Sequence, residues 1–188
     1  MSTMPTLPTE RLLLRPLELT DAPQIQAIFP QWEIVKYLTT QVPWPYPADG
    51  ALVFVRDLAL PAIARGESWH WTIRRKVEPD RLIGVISVMD KPRDNRGFWL
   101  DPKFQRQGFM AEASDAATDF WFDVLGKTVM HIPKAIANIP SRRISERSGM
   151  RVVEVMERDY VGGRLPAEVW EITRDEWHAR RKNTARAP

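Results

Sequence analysis

At 188 residues the chain can bury one good core and is too short for two ordinary domains. Hydrophobic residues make up 44% and charged residues 27%, a soluble globular composition, and zero cysteines exclude disulfides, thiol nucleophiles and thiolate-held metals. The net charge is +3, and from Arg174 to Pro188 five basic residues against two acidic ones account for all of it.

No basic stripe continues from that tail into the body, so the pattern favours a solvated tail over a nucleic-acid contact. His70, His131 and His178 show no ligand spacing, and no metal site is expected. No apolar run reaches membrane-spanning length, and Met1 to Thr9 lacks the basic-then-apolar order of a signal peptide. The expectation is a cytoplasmic protein without a membrane partner.

Glu10 to Leu19 reads as a first strand, with Leu12 and Leu14 inward and Arg11 and Arg15 outward. Thr20 fits an N-cap before a helix carrying Ile25, Ile28 and Phe29, which Pro30 ends; Gln31 to Leu38 can form another. Val42 to Pro47, with alternating prolines, is a stiff extended loop presenting Trp44 and Tyr46. A helix from Asp49 to Ala64 follows, with Leu52, Val55, Leu58 and Ala59 on one side. Ser68 to Arg74, Leu82 to Met89 and Arg96 to Leu100 read as strands.

Residues 105–113 carry the most information. A polar loop containing Gly108 runs into a helix whose Ala113, Ala116, Ala117, Phe120, Trp121 and Val124 recur at three and four residues. The first turn of such a helix offers unpaired N–H groups and the positive end of its dipole, which suits a phosphate. Gly108 lets an anion approach the backbone, and Arg106 adds mobile charge. Thr128 to Ile136 is a strand interrupted by Pro133. Ser141 to Arg147 is a short helix closed by Gly149, and Arg151–Arg158 with Glu168–Thr173 make a terminal hairpin. The order indicates a mixed α/β domain around a largely antiparallel sheet. Expected boundaries are an N-terminal extension 1–9, a domain 10–177 and a basic tail 178–188.

This order, with its motifs in place, resembles the GNAT superfamily of acetyl-CoA-dependent N-acetyltransferases, and within it the ribosomal-protein alanine acetyltransferase (RimJ/RimL) branch. The resemblance rests on Glu10-Arg11-Leu12-Leu13-Leu14-Arg15-Pro16-Leu17, on Phe98-Trp99-Leu100-Asp101-Pro102, and on Gln105-x-x-Gly108-x-Met110 with Glu112-Ala113. Asn138-x-x-Ser141 and Arg147-Ser148-Gly149-Met150 complete it. It covers about residues 10 to 177. It implies an α/β (α+β) GNAT fold of about seven strands flanked by helices, splayed between the fourth strand (at Phe98) and the fifth (at Thr128 to Ile136). There are departures. Met110 stands where a small residue is usual, and Ser145 where many members carry a tyrosine proposed to protonate the thiolate. The hairpin is longer than usual around Leu165-Pro166.

The resemblance also implies site residues. The pantetheine arm of acetyl-CoA pairs with backbone near Trp99 and Leu100. The phosphates take the loop of Gln105, Arg106, Gln107, Gly108, Phe109, Met110 and Ala111. Asn138 and Ser141 meet the far part of the arm near the thioester. Ser141 corresponds to a proposed acid, and Asp159, before Tyr160, to a proposed base. For each the residues leave an alternative: Ser141 as a helix cap, Asp159 as a turn residue, Tyr160 as an acceptor contact or edge packing. Trp44 and Tyr46 are either an acceptor wall or a lid packed on the core. The implied reaction is acetyl transfer by direct attack onto a primary amine, by preference a protein N-terminus, with a small-molecule amine as rival. A non-catalytic acyl-CoA sensor is the alternative from another class, and a homodimer stays open.

Overall fold

Alternation along the first long strand decides which face is buried. In the computed structural model, which describes residues 4–186, Leu12 and Leu14 are fully buried while Leu13 and Arg15, which alternate with them, are only partly so. Two sheets result. The first runs β1 (Leu7–Pro8), β2 (Leu12–Pro16), β3 (Ser68–Arg75), β4 (Glu78–Met89) and β5 (Arg96–Leu100), paired in that order. The second places β8 (Gly163–Thr173) between β6 (Val129–Ala135) and β7 (Arg151–Tyr160). The recorded pairings within both sheets are antiparallel.

Helices cover both faces of the first sheet. On one side lie α1 (Ala22–Ile28), α2 (Trp32–Val35), α3 (Gly50–Val53) and α4 (Leu60–Ala64), with Ile25, Phe29, Val55 and Ala59 packed on Leu82 and Val85. On the other, α5 (Phe109–Asp119) sets Met110, Ala113 and Ala117 against Leu12, Leu14, Trp71 and Ile86. α6 (Ile139–Arg147) precedes β7, and α7 (Arg174–Arg186) closes the chain. A buried ion pair, Arg74 Nη2 to Asp21 Oδ1 at 2.6 Å, ties the start of α1 to β3.

Several expectations need correction. The 49–64 rod is helical, but Phe54–Ala59 between α3 and α4 is a π-helical segment, and Phe120–Val124 after α5 is another. A π turn closes i→i+5 bonds and takes more residues per turn, so the apolar face drifts from its 3.6-residue phase. The buried face becomes Ala51, Val55 and Ala59, and Leu58 is 59% exposed. Likewise Phe122 is buried while Val124 is 63% exposed. Thr20 caps nothing: Asp21 accepts from the backbone N–H of Glu18 at 2.9 Å. Ahead of residue 10, Leu7 pairs with Leu14 and Pro5 O accepts from Trp71 Nε1 at 2.9 Å.

Of the expected solvated tail 178–188, residues 178–186 are helical and dock on the body, and Ala187 and Pro188 lie outside the described residues. Trp177 is fully buried and donates to Asp119 Oδ1 at 2.8 Å, Arg181 reaches Asp119 Oδ2 at 2.7 Å, and His178 reaches Asp123 at 2.7 Å. Asp115, Asp119 and Asp123 are spaced four apart on one face of the long helix, and that acidic stripe receives the basic residues of α7. No helix among the described residues is long and apolar enough to cross a membrane.

Candidate active site

The two sheets touch at one end and part at the other. Asn95 N donates to His131 O at 2.8 Å, and Asn95 Oδ1 accepts from His131 N at 2.8 Å. Beyond that contact β5 and β6 carry no strand pairing to each other. These are the strands expected to splay, and the edge of β5 away from β4 is left open. The result is a cleft of about 110 Å3 lined by Arg96, Gly97 and Phe98 of β5, by Ile132 to Ala135 of β6, and by Asn138, Ser141 and Tyr160. Pro133 sits opposite Val169 of β8. Having no N–H of its own, it removes one donor from the strand that borders the gap.

Gly108 is the N-cap of α5 at φ 82°, and Arg106 just before it stands at φ 61°. Two left-handed residues this close turn successive N–H groups toward one side, a concavity suited to an anion, and the first turn of α5 continues it. Side chains hold the loop in place: Gln105 Nε2 donates to Leu100 O at 3.1 Å and Gln107 Nε2 to Lys103 O at 3.2 Å. Phe109 and Met110 point inward and are buried in the core, so their part in the loop is through backbone. Met110 thus fits as a core residue where a small one is usual.

Arg11 is a residue the sequence reading passed over as an outward strand position. Its Nη1 donates to Gln107 O at 2.9 Å, its guanidinium lies 4.6 Å from the Phe109 ring centre, and its Nε pairs with Glu112 Oε2 at 2.8 Å. Burial would raise the Glu112 carboxyl, but hydrogen bonds from Thr9, from the Arg11 backbone and from the Arg11 side chain outweigh it and hold it below its ordinary value. The loop mouth therefore carries a tethered guanidinium. The signal was the Glu112 motif, since a carboxylate at a helix start invites a partner.

At the far end, Asn138 caps α6: its side chain accepts from Ser141 N. Ser141 is therefore not the cap, and its hydroxyl accepts from Lys134 Nζ at 2.6 Å. Lys134 is 5% exposed, and its amine lies 5.1 Å from the Phe98 ring centre. Burial pushes its pKa well below the ordinary lysine value; Arg96 lowers it further and Asp94 opposes. Sequence reading missed Lys134, because a lysine next to a strand proline carries no local sign of burial. Arg96 is also buried, which lowers it to about 10, and its Nη1 donates to Thr118 Oγ1 at 2.7 Å.

Tyr160 lines the cleft, and its buried hydroxyl finds no partner among the described residues. Burial pushes that phenol up to about 12. The hairpin turn docks on residues 36–39, with Val161 N donating to Leu38 O at 2.9 Å, which sets Thr39 opposite Tyr160 at the cleft mouth. Asp159 does not join this group. Strand alternation turns it to the opposite face from Tyr160, its side chain is 60% exposed, and its nearest cation is Arg164 at 3.5 Å across the hairpin.

Trp44 and Tyr46 also stand apart from the cleft lining. Tyr46 packs edge-on against Phe29 at 5.0 Å, and Phe29 against Trp99 at 5.3 Å, while Trp44 is 42% exposed beside Trp32. Tyr46 thus packs on Phe29 at the end of α1, and neither Trp44 nor Tyr46 is among the residues that line the gap. A larger open groove of about 450 Å3 between α1 and α3 is lined by Leu19, Pro23 and Leu52 together with Thr20, Gln26 and Asp49, and the Gln26 amide is spent on Pro47 O and Ala51 N.

The profile described as "Acetyltransferase (GNAT) domain" matches residues 11–151. Among solved structures, a ribosomal-protein-S5-alanine acetyltransferase from Vibrio fischeri is similar with a TM-score of 0.78 at 16% identity, over 93% of this chain and 99% of that one. RimJ from Mycobacterium smegmatis, in complex with CoA-disulfide, is similar at 0.76 and 17%, over 88% and 83%. A spermidine N-acetyltransferase from Vibrio cholerae is similar at 0.71 and 18%, over 90% and 98%. No curated protein matches the sequence.

Proposed function

The chain belongs to the GNAT acetyltransferase family, and from that premise we propose that it moves acetyl from acetyl-CoA to the α-amine of a protein N-terminus by direct attack. The observation that carries the reading is the adjacency of the left-handed Gly108 loop and the unpaired edge of β5. The N–H groups from Gln107 to Ala111 and the charge of Arg106 and Arg11 hold the diphosphate. The backbone of Trp99 and Leu100 aligns the pantetheine arm, and Asn138 and Ser141 lie by the thioester. A β5 N–H stabilises the charge that grows on the carbonyl oxygen. Tyr160, with an unspent hydroxyl at the mouth, contacts the acceptor.

The charge of the cleft favours an N-terminal amine over a polyamine. The neighbours' names include both a ribosomal-protein alanine acetyltransferase and a spermidine N-acetyltransferase. A polyamine carries several positive charges, whereas the guanidiniums of Arg96 and Arg158 line this cleft and its carboxylate Asp94 is already held by Arg158 at 2.6 Å. Calorimetry with CoA, followed by thiol release against peptides with varied N-termini and against spermidine, tests the proposal. Peptide-dependent release is expected. Spermidine as the better acceptor would overturn the choice, and CoA binding without acceptor-dependent release would indicate a sensor.

A further inference from the structure

An amine buried beside a hydroxyl in the cleft, without a carboxylate of its own, calls for explanation. Removing an ammonium from water costs several kcal/mol unless an anion compensates. Lys134 has no ion pair among the described residues, and its hydrogen bond goes to the neutral Ser141 hydroxyl at 2.6 Å. The groups facing it are Ser141 in α6 and Asn138 at its N-cap, Arg96 on β5, Asp94 just before it, Tyr37 after α2, Arg158 and Tyr160 on β7, and Glu168 opposite on β8. Both carboxylates are engaged elsewhere: Asp94 with Arg158 at 2.6 Å, and Glu168 with Arg142 at 2.9 and 3.1 Å. The surroundings disfavour the charged amine. A neutral amine next to a hydroxyl can both accept and return a proton.

Acetyl transfer needs such a store here. Asp159 faces away from the cleft, and position 145 holds a serine whose buried Oγ has no partner among the described residues. We propose that Ser141 and Lys134 form a proton relay for acetyl transfer, in which Ser141 Oγ meets the reacting atoms and Lys134 Nζ behind it stores the proton. This rests on the acetyltransferase reading above. As the acceptor nitrogen bonds to the thioester carbonyl carbon, its proton passes to Ser141 Oγ and the serine proton passes to Lys134. As the C–S bond breaks, Lys134 returns a proton through Ser141 to the thiolate. One proton moves from the amine to the sulfur, and the pair ends as it began. Ser141 is the catalytic residue; Lys134 is a positioning residue that acts through it.

Two measurements test the relay. The first needs no turnover: the full chain carrying 15N-labelled lysine is titrated by NMR, with Lys134 assigned as the signal missing from K134M. The Lys134 signal should turn to that of a neutral amine at a lower pH than those of the exposed lysines, and a signal that titrates together with them overturns the relay. The second is the pH profile of kcat with two peptide acceptors whose amines differ in basicity. An enzyme-borne acidic limb stays put when the acceptor is changed, and it should vanish in K134M. K134M, S141A and the double variant should each lower kcat about a hundredfold, without multiplying, because the pair acts as a unit. A limb unchanged in K134M, or losses that multiply, refute the relay. Failure of every amine to release thiol from the wild type would instead remove the acetyltransferase reading, leaving the NMR titration as the separate test of Lys134.

Discussion

Gly108→Ala separates the phosphate cradle from ordinary loop stability. Gly108 stands at φ 82°, where an L-residue costs about 1–2 kcal/mol. An added Cβ would lie 3.2 Å from Arg11 Nη2, the end of a flexible side chain that can give. Backbone strain is then the main cost, and for a chain of this size it lowers Tm by roughly 2–8 °C. If the loop relieves the strain by leaving the left-handed region, its N–H groups turn away from the diphosphate. Each charge-assisted hydrogen bond lost is worth about 1.5–3 kcal/mol, or roughly 10- to 150-fold in Kd for CoA. Gly66→Ala is the matched control, since Gly66 has φ 70° and nothing within 4 Å of the added Cβ. Both variants should lose similar Tm by calorimetry, and only Gly108→Ala should lose CoA affinity by titration. Wild-type CoA affinity in Gly108→Ala, with the same drop in Tm as Gly66→Ala, would refute the cradle.

Other perturbations test other parts of the molecule. Asp21→Ala strands the buried Arg74 guanidinium; breaking such a pair costs about 3–5 kcal/mol, or roughly 6–20 °C in Tm by thermal melting. Asp21→Asn, which keeps an acceptor, should lose less. Asp159→Asn should leave kcat and its pH profile unchanged in the thiol-release assay, and a lost acidic limb would restore Asp159 as a base. Burial, helped by Lys91, pushes His70 from 6.5 down to about 4. Between those values the unfolded chain takes up a proton that the folded chain does not. Stability is therefore complete above the upper value and falls by roughly 3 kcal/mol as pH drops through the window. In denaturant melts His70→Gln should flatten that decline, and an equal slope in both proteins would remove His70 as its source.

Local chemistry made much of the molecule legible. Leu12 and Leu14 alternate as a half-buried strand must, Pro30 follows the end of a helix whose interior it cannot continue, and Gly108 before a strongly periodic helix marks the left-handed turn that opens α5. The splay between β5 and β6 was expected through the family resemblance, and the structure leaves those strands unpaired beyond the Asn95–His131 contact. The misses share a different physics. Val124 and Leu58 were assigned to the core because a 3.6-residue phase was assumed, and a π turn resets that phase without any marker in composition. Asp159 and Tyr160 are neighbours in sequence, and only the register of β7 on β8 settles which of them faces the gap. The basic residues of α7 read as a tail until Trp177 and the acidic stripe of the preceding long helix were seen to meet.

Sequence by itself determined most of the strands and helices, the order in which they are strung and the glycine loop that opens α5, because those depend on residues within a few positions of one another. Tertiary structure alone decided that Lys134 is buried against Ser141 and that Arg11 reaches over the Gly108 loop. Desolvation and ion pairing depend on what distant segments bring close, and a one-dimensional pattern carries no such distances.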